Sequence, residues 1–227
     1  MTGSLLAALA LACAARPGTH AVVPTLPRGA SHAPVAADST DPAALWRAGE
    51  TYAVYAAKFS SRRREWETRD GWASIPDSLV ARPKALPAMV RILAVADESC
   101  SDSMNSIPYL ARLAALAGTI DLRIVNSARG RSVMESYRNV DGNAVTPTVV
   151  VLDARDRVVG CWVERPQRLI RWLRTPKDSL PADERFADRR AWYESDKGRA
   201  ALAEWIPMLE RIARGENTCA AGTAPRN

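Results

Sequence analysis

The sequence predicts an α/β fold with a mixed sheet in the order β-α-β-α-β-β-α, extended by helices at both ends. Three observations lead there. Residues 90–96 form an apolar run broken only by Arg91, which reads as a buried strand and points straight at a cysteine and a helical pattern. Two further apolar runs, 120–125 and 148–152, alternate with helical stretches, as strands joined by crossover helices do. The run 148–152 is then followed so closely by 158–163, across Asp153-Ala154-Arg155-Asp156, that the two must form an antiparallel hairpin. The sheet is therefore mixed, with helices on both faces.

The elements follow in chain order. Residues 1–40 hold a short apolar run, 4–15, and then a low-complexity stretch carrying Pro17, Pro24, Pro27 and Pro34. The run is too short to span a membrane and has the length of a signal-peptide core, with small-residue cleavage sites at Ala12-Cys13-Ala14 and Thr19-His20-Ala21. No lysine or arginine precedes it, so a leader and a non-native extension both stay open. The first reading makes the protein periplasmic or secreted, the second cytoplasmic. A helical extension is expected over 41–87. Asp41 is placed to cap it and Pro42 to open it, and one amphipathic helix to about Arg64 accounts for Leu45, Trp46, Tyr52, Tyr55, Ala56 and Phe59. A proline-punctuated connector, with room for a short helix, fills 75–87. The α/β core occupies 88–174, with helices at 103–117, 132–138 and 167–173 between or after the strands. C-terminal helices follow within 175–216, at 182–194 and 199–214, with Pro207 placed to kink or split the second. A frayed tail is expected at 217–227.

Composition excludes several classes. An apolar content of 47% with 25% charged residues belongs to a folded globular chain rather than a disordered one. Net charge is +6, of which Arg16 and Arg28 against Asp38 contribute +1 and the rest is dispersed. The densest basic run, Arg62-Arg63-Arg64, is followed by Glu65 and Glu67 and reads as a solvated helix face, so no nucleic-acid partner is expected. The two histidines, His20 and His32, lie in the N-terminal segment, which leaves the folded part no Ser-His-Asp, Cys-His or histidine–zinc site. Cys13, Cys100, Cys161 and Cys219 lack metal-type spacing and are too few for a disulfide scaffold. No metal, cofactor or transmembrane helix is expected.

The chemistry concentrates at Glu98-Ser99-Cys100-Ser101-Asp102-Ser103, read with Thr146-Pro147-Thr148. Cys100 falls in a strand-to-helix turn, where the first N–H groups of a helix are unpaired and its dipole favours an anion. A thiolate is such an anion, and it is the nucleophilic form of the side chain. Asp102 is placed to cap the helix or complement its dipole, or to carry a proton for the thiol, capping being the favoured role. Cys161 reads as a core position and Cys219 as part of the tail. Glu164-Arg165-Pro166 reads as a structural ion pair ending a strand, with a small-molecule site as the alternative. Trp192, Tyr193 and Trp205 read as aromatics docking the C-terminal helices.

This order of elements, with a cysteine at the first strand-helix turn and a proline opening the third strand, resembles the thioredoxin fold over about 88–173. Pro108, eight residues after Cys100, matches the proline that kinks this helix in thioredoxins. Thr146-Pro147 resembles the family's cis-proline dipeptide, which implies a substrate groove beside the sulfur. The segments 95–103, 162–166 and 192–199 look like those of bacterial thioredoxin-family proteins with a Trp-Cys-Gly-Asp-Ser-like motif and helical flanks. Two departures stand out. Ser99 replaces the tryptophan that usually precedes the cysteine, and Ser103 replaces the resolving cysteine of dithiol thioredoxins, a serine there being in keeping with this subgroup's own motif.

With one thiol, Cys100 can form a mixed disulfide but needs an external thiol to resolve it, and Ser103 is placed to donate a hydrogen bond to the sulfur. The resemblance therefore implies a monothiol thiol–disulfide oxidoreductase or thiol-reactive protein. Its expected site is Cys100, Ser103 and Asp102 with a groove at Thr146 and Pro147, and its partner a protein or a low-molecular-weight thiol or disulfide. The alternative is a redox-silent thioredoxin-like module that binds a peptide or protein in the same groove.

Overall fold

Strand β1 (Val90–Val95) is apolar on both faces because both are covered. Ile92 and Ala94 point into one core and Leu93 and Val95 into the other, all four essentially inaccessible to water. This is the period-two alternation of a pleated strand, and burying each of the larger side chains contributes about 1.5–3 kcal/mol. The computed structural model describes residues 40–175 and 181–219, and in it β1 is central. The sheet order is β2-β1-β3-β4. β1 pairs in parallel with β2 (Ile120–Val125), Ile92 opposite Leu122. It pairs antiparallel with β3 (Thr148–Leu152), Ile92 opposite Val151. β4 (Val158–Val163) closes the hairpin on β3. This is the mixed sheet expected, and its fold is α/β and thioredoxin-like, with extra helices at both ends.

The two faces are filled by different helices. The larger core takes Ile107, Leu110 and Leu113 from α5 (Ser101–Ala117) and Leu202, Trp205 and Leu209 from α9 (Arg199–Ala213). The smaller takes Leu45 from α1 (Pro42–Arg47) and Val133 and Met134 from α6 (Arg131–Ser136). Helix α5 ends at Gly118, whose left-handed backbone (φ 71°) is the usual stop. Helix α7 (Gln167–Leu173) follows β4. Helix α8 (Ala182–Asp196) meets α9 at Gly198, where φ is +74° and an added Cβ would fall 2.4 Å from the Tyr109 ring. Only glycine fits that junction. Among the described residues no helix is long and apolar enough to cross a membrane.

Three expectations are corrected. The single N-terminal helix is three: α1, α2 (Tyr52–Ala56) and α3 (Arg63–Trp72), with α4 (Asp77–Lys84) in the connector. Asp41 does cap α1, accepting from Ala43 and Ala44 N–H at 3.0 and 3.1 Å. The chain then straightens, because Glu50 exchanges two backbone hydrogen bonds with Ile124 at the sheet edge, and Thr51 caps α2 afresh. Pro207 does not split α9, which runs through it. The tail is not frayed over its described part: Thr218 N–H donates to the Val159 carbonyl at 2.8 Å, and Cys219 is disulfide-bonded to Cys161 with Cα atoms 4.9 Å apart. Cys161 is accordingly half-buried and cross-linked. Residues 1–39, 176–180 and 220–227, which hold the leader and the end of the tail, lie outside the described residues.

The Cys161–Cys219 bond closes a separation of 58 residues, and a link of that span restricts the unfolded chain by about 2–4 kcal/mol. Reductant should lower the melting temperature of the wild type by several degrees and leave Cys219→Ser unmoved. Equal melting with and without reductant would show that the link contributes no stability.

Candidate active site

After β1 the chain turns sharply at Asp97, whose carboxylate accepts the Ser127 N–H at 3.1 Å and whose carbonyl accepts the Cys100 N–H at 3.2 Å. The turn puts Cys100 in extended conformation at the N-cap of α5. There its sulfur takes the place usually filled by a serine or aspartate oxygen and accepts the Ser103 N–H at 3.4 Å. The thiol donates to the Thr146 carbonyl at 3.1 Å. The next peptide, Thr146–Pro147, is cis, and the Pro147 carbonyl accepts the Glu164 N–H at 2.7 Å, tying this loop to the end of β4. Cys100 is the free cysteine among the described residues and is half-exposed. The expected pair, Cys100 and Thr146-Pro147, is thus in direct contact across 46 residues of chain.

The N-terminal helices hold this turn from outside. The Glu98 carboxylate accepts the Ser60 and Arg62 N–H groups, both at 2.8 Å, and these bonds hold its pKa below the usual carboxylate range. Trp66, fully buried, donates its indole N–H to the Glu98 carbonyl at 3.0 Å. The Tyr55 hydroxyl donates to the Ala96 carbonyl at 2.7 Å; burial, followed by nearby acidic groups, pushes that phenol up. Arg62 also reaches the Ser99 carbonyl at 2.9 Å. Sequence periodicity marks Tyr55 as core but gives no sign that Glu98 and Trp66 clamp the turn.

Two expected roles are corrected. Asp102 does not cap α5. Its carboxylate is buried and turned to the C-terminal half of the chain, accepting from Arg165 Nη2 and from the Tyr193 hydroxyl, both at 2.8 Å. Arg165 also pairs closely with Glu164, which in turn accepts from Asn139 Nδ2 at 2.9 Å. Burial pushes the Tyr193 phenol well up, and the Asp102 charge adds to it. Burial works against the Arg165 guanidinium, but the Asp102 and Glu164 charges outweigh it and leave its pKa raised. The hydroxyl of Ser103, fully buried, accepts the Asp97 N–H at 3.4 Å; it is the backbone N–H of Ser103 that reaches the sulfur. The Glu164-Arg165 ion pair is present as expected, with Asp102 as an added member. No local spacing links positions 102, 165 and 193, so the cluster is invisible before folding. Among the described residues no group of acidic, cysteine or histidine side chains is placed to hold a metal.

Fold and site together define a thioredoxin-type protein, and the comparisons agree. A thioredoxin family model matches residues 49–180, more than half of the chain, and the chain belongs to that family. It is similar in structure to a protein of unknown function from Pseudomonas aeruginosa, with 19% sequence identity and a TM-score of 0.59, covering 75% of this chain and 97% of that one. It is also similar to an HIV epitope-scaffold protein, with 20% identity and a TM-score of 0.58, covering 74% of this chain and 96% of the other. At these identities the likeness is one of fold. No curated protein matches this chain in sequence.

The Asp102–Arg165 pair, with side chains only 7% and 14% exposed, makes a clear prediction. Arg165→Met strands the buried Asp102 carboxylate, takes the cation from Glu164 as well and should cost about 3–5 kcal/mol in urea unfolding, while Asp102→Leu/Arg165→Met should recover the share due to Asp102. A cost below about 1 kcal/mol for the single variant would mean that solvent reaches the pair.

Proposed function

We propose that this protein is a monothiol thiol–disulfide exchange protein in which Cys100 is the attacking sulfur. The observation that carries the reading is the placement of one half-exposed thiol between the Ser103 N–H and the Thr146 carbonyl. The sulfur sits at the start of a 17-residue helix, where the first N–H groups lack intrahelical partners. The Cys100 thiolate attacks one sulfur of a disulfide R–S–S–R. A Cys100–S–S–R bond forms, the R–S–S–R bond breaks, and the second half leaves as a thiolate. An external thiol, as thiolate, then attacks the mixed disulfide, regenerating Cys100 and carrying R away as a new disulfide. No proton acceptor beyond solvent is required, and Asp102, committed to Arg165 and Tyr193, serves to position the start of α5 rather than to carry a proton.

Helical flanks and a Cys-x-x-Ser motif also support membership of the bacterial monothiol-like group within the family. The Cys161–Cys219 disulfide is the cysteine usage of an oxidising compartment and supports export. The second reading, a redox-silent peptide-binding module, is favoured by the absence of a second thiol at position 103 and by the pairing of the other two described cysteines with each other.

Alkylation separates the two. Cys100 should react with iodoacetamide at neutral pH about tenfold faster than an unstructured cysteine peptide, and Cys100→Ser should abolish labelling of the peptide that spans position 100. A rate at or below that of the peptide would overturn the exchange reading. Ser103→Cys would supply the resolving thiol in cis. Release of R from the mixed disulfide should then proceed without added thiol, where the wild type stays trapped until one is supplied.

A further inference from the structure

Beside the Cys100 turn, a groove of about 300 Å³ opens between α3, the start of α5 and α8, within the size range of small-molecule sites. Its charge is one-sided. Arg62, Arg69, Arg189 and Arg190 line it against Glu65 and Glu194. The two acids are engaged, Glu65 with Arg62 at 3.5 Å and Glu194 with Arg69 at 3.6 Å. Arg189 and Arg190 have no carboxylate within ion-pair distance among the described residues. The arginines bear on one another: the Arg69 guanidinium is pushed below its ordinary value, first by burial and then by the Arg190 and Arg62 charges, with Glu194 opposing.

Arg189 links this charge to the chemistry. Its Nη2 donates to the Ser101 hydroxyl at 3.2 Å, and Ser101 is the residue next to Cys100. At the mouth, Phe186 is 44% exposed, with the Arg189 and Arg190 guanidinium carbons 5.2 and 5.9 Å from its ring centre. The groove thus offers a short apolar wall and two unneutralised cations, and its lining includes Ser101, the residue next to Cys100. A protein partner would be expected to cover about 800 Å² of surface; a concave site of this size suits a small molecule.

We propose that this groove holds the carboxylate-bearing part of a low-molecular-weight disulfide or thiol, with Arg189 and Arg190 on the carboxylate and the sulfur presented to Cys100. The assignment rests on Cys100 being the exchanging thiol. It narrows the partner to anionic small thiols and their disulfides, the same molecule class serving as the disulfide attacked and, once reduced, as the thiol that resolves the mixed disulfide.

The test uses the full chain and three disulfides of similar size: dithiodipropionate (anionic), hydroxyethyl disulfide (neutral) and cystamine (cationic). Mixed-disulfide formation at Cys100 is followed by mass spectrometry, each rate being divided by that of a cysteine peptide with the same reagent. The anionic probe should outpace the neutral one by about tenfold at low ionic strength, and the preference should shrink as salt is added. Arg189→Gln/Arg190→Gln should remove it, while Arg189→Lys/Arg190→Lys should keep most of it. Arg112→Gln, which removes one positive charge from an exposed site on the far half of α5, should leave it intact. Reaction with all three probes at equal normalised rates, or a preference lost equally in Arg112→Gln, would overturn the groove and leave the exchange reading standing. No mixed disulfide with any probe would overturn the exchange reading and the groove with it.

Discussion

Helix α5 begins on a sulfur, and much of the site is arranged around that fact. An N-cap must sit in extended backbone with its side chain turned back over the first helical turn, and Cys100 does both. A serine or aspartate in this position would be a sounder cap, since sulfur is a weak acceptor. The chain therefore secures the turn by other means. The Glu98 carboxylate, the Trp66 indole and the Tyr55 hydroxyl hold the backbone just before Cys100, while the Asp97 carboxylate pins it to the loop after β2. All but the Asp97 contact come from the N-terminal helical extension, which supplies the rigidity that the weak cap does not.

The same requirement acts from the other side of α5. Asp102 is one of the first residues of the helix, and an ionised carboxylate there complements the dipole. Burying it brings a desolvation cost that only close partners offset. Arg165, from the loop after β4, and Tyr193, from α8, supply them. Three segments far apart in sequence are thereby fixed around the start of one helix, and the C-terminal helices become part of the site's framework. The cluster does not need to touch the sulfur to matter, because it sets where the first turn of α5 stands relative to the Thr146 carbonyl.

The sheet was legible because its signals are local. The 148–152 and 158–163 runs coincide with β3 and β4, since a short turn between two apolar runs permits only a hairpin. Cys100 and Thr146-Pro147 were legible as a pair because the family resemblance links them. What escaped depends on long-range partners. Apolar spacing over 41–64 fits one helix well, but Glu50 gains two backbone hydrogen bonds by joining the sheet edge, and tertiary pairing overrides helical periodicity. Thr51 was the available sign of a restart, as a helix N-cap. Cys161 looked like core because it lies between apolar neighbours; its partner, Cys219, arrives only because the chain after α9 runs back along β4. Asp102 looked like a cap because position, and not partners, is all that spacing records.

On the exchange reading, the serines at positions 99 and 103 have a shared consequence. A dithiol protein can close its groove tightly over the substrate, since the second thiol waits inside. A monothiol protein must admit a second molecule in line with the mixed disulfide before it can turn over. Ser103 removes the inner thiol, and Ser99, exposed at the turn, puts a small polar side chain where the family's tryptophan would have walled the approach. With the apolar wall gone, selectivity must come from elsewhere, and charge acts at longer range than contact. In the groove proposed above, the arginines of α3 and α8 would supply that selectivity, drawing partners by charge more than by a fitted surface.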